Sequence, residues 1–327
     1  MISVIIPTMN AERFISKSIE SFLKQDIKEK YEIIVVDSST DRTSEIVSKY
    51  KVKVIKQKKL GPAAARNFGV KKARGDIVVF VDADCIVPKT WLRKLTEPFS
   101  DKEITAVAGA YKIWNKESSI ARFLQYEIEQ RYERMKNATN IDFVGSYNCA
   151  YRKKIFTKFG GFDEKMIQGE DPDLSFRISK KHKIVFQPSA YVYHMHVEDL
   201  ISFSKKKFQR AYWKAFLFKR HKRKVLKNVY TPANLMPQTL FFALSLLLFI
   251  LSFFNTMFFY FAIFFMFLSY ALNFYLIYFI YKKEVALLAA SLALIFVKNL
   301  FSSIGLAYGI MACLLKSYKI KKYERMA

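Results

Sequence analysis

The feature that most constrains this chain is a long stretch without charge. From Asn228 to Tyr281 the sequence contains no Asp, Glu, Lys or Arg, and a second apolar stretch, Val285–Leu315, is interrupted only at Lys298-Asn299. About 20 apolar residues in a helix are enough to cross a bilayer, and soluble domains do not carry such runs. The sequence therefore predicts an α-helical membrane domain and excludes a wholly soluble enzyme and a disordered chain.

Charge divides the 327 residues further. Of the 28 acidic residues, 26 lie in 1–199, whereas 200–234 contains eleven basic residues, several aromatic residues and no acid. Aromatic rings at headgroup depth and lysines facing anionic lipid explain this basic–aromatic region as an interfacial helix, so we expect membrane lipids and no nucleic acid as its partner. A membrane domain at 235–315 and a basic C-terminal tail at 316–327 follow.

The membrane domain is predicted to contain about three hydrophobic segments. They begin near Leu235, Met257 and Val285. The topology of the third segment stays open: either it crosses the bilayer, or it re-enters or lies flat in part, so that both basic ends remain on one side. We expect a multi-pass protein of the cell membrane with residues 1–199 in the cytoplasm.

The first 199 residues alternate between two periodicities. Short β-branched runs predict buried strands at Ile2–Pro7, Glu32–Asp37, Val52–Lys56 and Ile77–Val81. Helical spacing lies between them, at Ala11–Gln25, Thr43–Lys49 and Ala63–Ala73. Strand–helix–strand alternation predicts an α/β domain with a mostly parallel, doubly wound sheet.

Two carboxylates follow the strand Ile77–Val81 directly, at Asp82 and Asp84. At a strand end the chain leaves the pleat, so both acids can converge on one external point. Oxygen-preferring divalent ions such as Mg²⁺ or Mn²⁺ are the ions that such a pair holds, with phosphate oxygens completing the coordination. Asp-X-Asp is also common in solvated turns, so its meaning depends on the surrounding motifs.

Those motifs give the chain a resemblance to the family-2 glycosyltransferases with the GT-A fold, from Met1 to about Trp213. The segments that resemble the family, in order, are Val4–Asn10, Ile34–Thr43, Gly61–Gly69, Gly75–Asp84, Val144–Ala150 and Gly169–Leu174. The resemblance implies that residues 1–199 form a GT-A catalytic domain, the Rossmann-like fold of nucleotide-diphospho-sugar transferases, followed by the α-helical membrane domain.

The resemblance also implies roles for individual residues. The nucleotide-sugar-binding residues are Pro7, Thr8, Asp37, Arg66 and Asp82. The metal, Mn²⁺ or Mg²⁺, is held by Asp84 and Asp82 with His194 as a further ligand and His196 as the alternative. The catalytic base is Asp171, with Glu170 and Asp173 as alternatives. Gln209, Arg210 and Trp213 resemble part of the Gln-x-x-Arg-Trp segment of processive polysaccharide synthases and are expected at the acceptor or membrane interface.

These expectations define a membrane-bound, metal-dependent, inverting glycosyltransferase. The donor is a UDP- or GDP-sugar, and the acceptor is lipid-linked: a polyprenyl phosphate, a lipid-linked oligosaccharide or a glycolipid. Two alternatives remain. One is a processive polysaccharide synthase, which the partial Gln-x-x-Arg-Trp match and the small number of membrane segments disfavour. The other is a non-catalytic membrane-surface binding protein.

Overall fold

The computed structural model describes residues 1–58, 60–226 and 228–315. The described chain divides into two compact units. The first unit contains residues 1–114 and 132–195, and the second contains residues 115–131 and 196–315. The basic tail predicted at 316–327 lies outside the described residues.

The first unit is built on a mixed sheet of eight strands within the described residues. The strands are β1 (Ile2–Thr8), β2 (Tyr31–Asp37), β3 (Lys53–Lys56), β4 (Ile77–Val81), β5 (Cys85–Ile86), β6 (Ile104–Ile113), β7 (Asn148–Arg152) and β8 (Lys183–His194). Their spatial order is β3-β2-β1-β4-β7-β6-β8-β5. Strands β1 to β4 are mutually parallel where they pair, and β7 runs antiparallel to both of its neighbours. The parallel half of the sheet, predicted from the sequence, is confirmed.

Helices cover this sheet between the strands. The helices that precede the second unit's long helices are α1 (Ile15–Leu23), α2 (Thr43–Ser48), α3 (Pro62–Lys72), α4 (Trp91–Thr96), α5 (Ser119–Lys136), α6 (Lys153–Lys158) and α7 (Glu170–Ile178). Helix α1 begins four residues later than predicted. The backbone N–H groups of Ala11 and Glu12 bind the side chains of Thr43 and Asp41, at 2.8 and 3.2 Å, so the entry to the helix is tied to the neighbouring loop.

The second unit consists of helices. They are the first part of α5, then α8 (Leu200–Leu226), α9 (Leu235–Leu251), α10 (Met257–Ala271), α11 (Phe274–Lys283) and α12 (Leu288–Leu315), which a short 3₁₀ turn at Val285–Leu287 precedes. The backbone of α8 leaves helical geometry at His221. A hydrophobic cluster that includes Phe123, Phe203, Ile280 and Ile295 forms the core of this unit.

The predicted membrane segments coincide with α9 to α12. Among the described helices, Val285–Leu315 is the one long and apolar enough to cross a membrane alone. Helices α10 and α11 pass the same test only as a pair, bent by 51°, and α9 is shorter, at 17 residues. A membrane-crossing helix is thus available, and a multi-pass topology stays a prediction.

Candidate functional site

Thr8 and Asp37 face each other at the carboxyl ends of β1 and β2. Asp37 is buried and accepts hydrogen bonds from Thr8 Oγ1 (2.9 Å), the Ser39 N–H (3.1 Å) and the Ser44 hydroxyl. Burial acts to raise the pKa of Asp37, but these hydrogen bonds outweigh it and lower the pKa below its usual value. Pro7, one residue before Thr8, is half-buried.

Asp82 and Asp84 follow β4 at the same edge of the sheet, because the carboxyl ends of parallel strands meet there. The Asp82 carboxylate accepts a hydrogen bond from Arg66 Nη2 at 2.8 Å and lies 3.5 Å from the Tyr111 hydroxyl. Its side chain is 30% exposed and that of Asp84 is 37% exposed, whereas Arg66 is buried. The two acids are therefore open to a ligand from one side.

Arg66 joins the strand-end acids to a second group of acids. It lies in the second turn of α3, and its Nη1 is 3.5 Å from Glu170 Oε1 at the start of α7. Burial acts to lower the pKa of Arg66, but the neighbouring acids, Asp82 foremost, outweigh it and raise the pKa. One buried guanidinium thus bridges Asp82 and Glu170, which are 88 positions apart in sequence.

Glu170 and Asp171 begin α7. The preceding residue, Gly169, has a φ of +93°, a left-handed conformation that glycine adopts without strain. Burial and then the charge of Asp171 raise the pKa of Glu170 to about 8, against the opposing charge of Arg66. Burial also raises the pKa of Asp171, although Arg66 and hydrogen bonds from Ser146 act against it. The pKa values of both carboxyl groups therefore lie closer to neutral pH than those of ordinary carboxyl groups.

One oxygen of the Asp171 carboxylate lacks a partner. This atom, Oδ1, is shielded from solvent and has no hydrogen-bond partner among the described residues. Asp173, the other alternative base, is completely buried and paired with Arg177, with Nη2 and Oδ2 2.9 Å apart. The structure therefore brings Glu170 and Asp171 to the Arg66 cluster and engages Asp173 elsewhere.

The raised pKa of Glu170 predicts how stability depends on pH. Between about pH 4.5 and 8 the folded chain keeps a proton on Glu170 that the unfolded chain has released, so the free energy of unfolding falls as pH rises through this range. We expect Glu170→Gln to flatten this part of the profile, measured as the melting temperature in detergent at pH 5 to 9. The control Glu103→Gln changes a side chain that is 81% exposed and should leave the profile intact. An unchanged slope in Glu170→Gln contradicts the assignment.

His194 ends β8 and pairs with Cys85 in the adjacent strand β5, which places its ring next to Asp84. His194 Nε2 lies 3.5 Å from Asp84 Oδ2. Two ligands on adjacent octahedral positions of an ion such as Mg²⁺, each at about 2.1 Å, are separated by about 3 Å. This nitrogen–oxygen pair therefore fits a divalent ion. Within the described residues no three His, Cys, Asp or Glu side chains converge at metal-ligand spacing, so Asp82 is not brought together with Asp84 and His194 as a third ligand of this kind.

The sequence did not indicate the aromatic residues beside this pair. The Tyr111 ring stacks on His194 with ring centroids 4.4 Å apart, and Tyr147 stacks on Tyr111 at 3.9 Å. Tyr111 follows an apolar run in β6 that reads as an ordinary buried strand, so only its position near the strand's carboxyl end signals a role. The stack fixes the orientation of the imidazole.

The remaining predicted residues lie in the second unit. His196 is buried there, with its Nε2 3.0 Å from Gln125 Oε1, and is not part of the Asp84–His194 pair. Gln209, Arg210 and Trp213 lie on α8. Arg210 is exposed, whereas Trp213 is buried against Tyr212 and Phe216. The acceptor or interface role of these residues stays a prediction.

An α/β sheet that gathers acids at its strand ends defines a GT-A domain, the fold of nucleotide-diphospho-sugar transferases. The model of the family described as Glycosyl transferase family 2 matches residues 3–160, just under half of the chain, so this segment is a family-2 glycosyltransferase domain. The fold class and the family predicted from the sequence are confirmed.

Two proteins of similar sequence bear the names of glycosyltransferases. The uncharacterized glycosyltransferase EpsJ of Bacillus subtilis (strain 168) is 29% identical over 212 residues, which are 59% of this chain and 60% of EpsJ. The O-antigen chain rhamnosyltransferase WbaN of Salmonella anatum is 30% identical over 208 residues, 59% of this chain and 66% of WbaN. The matches thus span less than two thirds of these relatives.

A solved structure shares the fold. The mannosyltransferase PcManGT from Pyrobaculum calidifontis, in complex with GDP-Man and Mn²⁺, superimposes with a TM-score of 0.59 at 19% identity. The match covers 96% of this chain and 86% of that chain. At this identity the likeness establishes the fold alone.

Proposed function

We propose that this protein is a membrane-bound, metal-dependent, inverting glycosyltransferase that moves a sugar from a UDP- or GDP-sugar to a lipid-linked acceptor. The observation that carries the proposal is that two groups of side chains lie within one unit of the fold. Asp84 lies beside His194, and Asp82 and Glu170 both contact Arg66. A cation-binding pair beside a carboxyl pair of raised pKa is the arrangement that donor activation and proton removal require.

Asp84 and His194 would hold the metal. Imidazole with carboxylate suits Mn²⁺ better than Mg²⁺, which prefers oxygen alone. A bound divalent ion supplies charge that stabilises a departing nucleoside diphosphate. The presence of Mn²⁺ and GDP-Man in PcManGT, which shares the fold, supports this part of the proposal.

Asp171 would act as the base. With a hydroxyl acceptor, the acceptor oxygen attacks the anomeric carbon, the bond to the diphosphate breaks, and the hydroxyl proton passes to the carboxylate. A polyprenyl phosphate is already ionised, and Asp171 would then position this acceptor instead. The unpartnered Oδ1 of Asp171 offers an acceptor position, and Ser146 holds the carboxyl group in place. A raised pKa makes the carboxylate a stronger base near neutral pH. Asp37 and Thr8 would contact the nucleotide base.

The acceptor follows from the second unit. An enzyme with apolar helices beside a basic–aromatic helix is expected to work at a bilayer surface, with its catalytic domain in the cytoplasm, so its acceptor is proposed to be a polyprenyl phosphate, a lipid-linked oligosaccharide or a glycolipid. A test is incubation of the full chain in lipid vesicles with Mn²⁺ and labelled UDP- and GDP-sugars. We expect release of nucleoside diphosphate and a labelled product that extracts into organic solvent. A long polymer would instead favour processive synthesis, and no release with any donor would favour a binding protein.

The base assignment gives a sharper prediction. Asp171→Asn removes the proton acceptor but keeps the size and hydrogen bonding of the side chain. We expect turnover to fall by about 10²–10⁴-fold, the usual contribution of general base catalysis, while donor-induced thermal stabilisation is retained. A matched variant, Glu164→Gln, changes a nearby exposed acid and should leave turnover unchanged. Full activity in Asp171→Asn would transfer the role to Glu170.

A further inference from the structure

Helix α12 contacts charged residues at its start, middle and end. Glu284, which precedes the 3₁₀ turn that leads into it, lies 3.1 Å from Arg122 of α5 and accepts a hydrogen bond from Tyr126 at 3.0 Å. In its middle, the Lys298 ammonium lies 3.7 Å from Glu127, which also binds Lys207 of α8. The helix is apolar enough to cross a membrane, yet the face that packs against the other helices makes contacts with charged residues.

Helix α8 continues this contact to the end of α12. A Cβ on Gly305 would lie 2.3 Å from the Phe208 carbonyl oxygen, and one on Gly309 would lie 2.4 Å from that of Tyr212. Only glycine permits this approach of two helices. Four residues separate both the glycines and their partners, so the two helices run parallel, side by side. Near the end of α12, Lys219 Nζ donates to the Cys313 carbonyl oxygen at 3.3 Å.

Helix α8 also carries exposed positive charge. Its exposed basic side chains are Lys205, Lys206, Arg210, Lys219, Lys222 and Arg223. Exposed lysines and arginines are excluded from the hydrocarbon core, and they favour the headgroup region of anionic membranes. The part of α12 beside α8 therefore lies at headgroup depth.

A crossing would place these contacts inside the bilayer. From Glu284 to Lys298 the helix rises about 21 Å, and from Lys298 to Cys313 about 22 Å, at 1.5 Å per residue. The hydrocarbon core is about 30 Å thick, so a crossing α12 would carry the Lys298 ammonium and its partners Glu127 and Lys207 into the hydrocarbon region. Charged groups there are costly even when they are paired, and the exposed basic side chains of α8 would enter with them.

The outer face of α12 is suited to lipid. All of its exposed side chains from Val285 onward are apolar or tyrosine, and they include Leu292, Phe296, Ile304, Tyr308, Leu314 and Leu315. We propose that α12 does not cross the bilayer but lies in the plane of one leaflet, with this face against the acyl chains and α8 among anionic headgroups. The inference rests on the membrane association proposed above and specifies how the chain associates.

The proposal fixes the topology of the chain. In this proposal helix α9 and the bent pair α10–α11 either return together within one leaflet or cross together, so they contribute no crossing or two. If α12 lies in the plane, the chain has an even number of crossings, and its two ends lie on the same side of the membrane. If α12 crosses, they lie on opposite sides.

The test uses the full chain in membranes of its expression host. Protease-cleavable reporters before Met1 and after Ala327 should become accessible from the same face of sealed vesicles. Accessibility from opposite faces would overturn the proposal. Complete release of the protein from membranes in buffer would instead refute the membrane-bound part of the proposed function, and the inference with it.

Depth measurements give an independent readout. With Cys313 replaced by alanine, and Cys85 and Cys149 buried, nitroxides are attached at Leu292→Cys and at Leu314→Cys in nanodiscs with anionic lipid. These sites are about 33 Å apart along α12. We expect depths equal within about 5 Å for an in-plane helix. A difference approaching the full separation means a crossing and overturns the proposal. A nitroxide at Glu103→Cys, a position of the first unit whose side chain is 81% exposed, serves as the aqueous control.

Discussion

Asp84→Ala is expected to lower the release of nucleoside diphosphate by about 10³-fold or more, the cost of losing a principal electrostatic contact of a transition state. Asp84 is the carboxylate nearest to His194, and it is more than a third exposed, whereas Asp82 is engaged by Arg66. Because no third His, Cys, Asp or Glu joins them in a metal-binding group among the described residues, removal of Asp84 would leave His194 as the one side chain of these types at the proposed metal site.

The experiment has two readouts. Steady-state turnover with Mn²⁺ measures catalysis, and the electron paramagnetic resonance signal of free Mn²⁺ measures metal binding directly. We expect Asp84→Ala to lose both. Asp26→Ala removes an acid that is 71% exposed and pairs with a surface arginine at 3.8 Å, so both readouts should match the parent protein. Unchanged Mn²⁺ binding in Asp84→Ala would show that the metal, if used, is held elsewhere.

The sequence was sufficient for much of the fold because its signals are local. Continuous β-branched runs marked the four parallel strands, and the strand ends then placed Asp37, Asp82 and Asp84 at one edge of the sheet. The neighbourhood of Asp84 and His194 depends on the pairing of β5 with β8, which periodicity does not encode. Only the family resemblance brought His194 into the prediction.

The parts that the sequence could not supply are long-range. Arg66 was expected to reach ribose or phosphate, and its bridge to Glu170 spans 104 positions that no local pattern connects. The pairing of Asp173 with Arg177 could be predicted from the sequence, because residues four apart share a helix face. The contacts of Gly305 and Gly309 with α8 could not be predicted, because the spacing of glycines along one helix does not identify the helix that packs against them.

Arg66→Met is expected to destabilise the folded protein by about 3–5 kcal/mol, because it leaves buried carboxylates without their cation. The side chain of Arg66 is 5% exposed and that of Glu170 is 9% exposed, so water cannot replace the lost charge. The loss should be largest at high pH, where Glu170 is ionised, and smaller at low pH, where it carries a proton. The measurement is detergent-phase thermal or chemical unfolding across pH. Arg93→Met, which breaks an exposed pair, is the control, and it should cost at most about 1 kcal/mol.

A double substitution separates charge from packing. If the cost of Arg66→Met arises from an uncompensated carboxylate, then Arg66→Met/Glu170→Gln should recover part of the stability and lose the added pH dependence. If the cost arises from lost packing against the Phe162 ring, whose centroid lies 5.9 Å from the guanidinium carbon, the second substitution should recover nothing. Turnover should stay low in both variants, because Asp82 no longer has the partner that orients it. Arg66→Lys retains a charge without the planar fork that reaches both acids, so its stability should lie between the parent and Arg66→Met. A double variant no more stable than Arg66→Met would show that the arginine serves packing, and the electrostatic bridge between the two groups of acids would then be incidental.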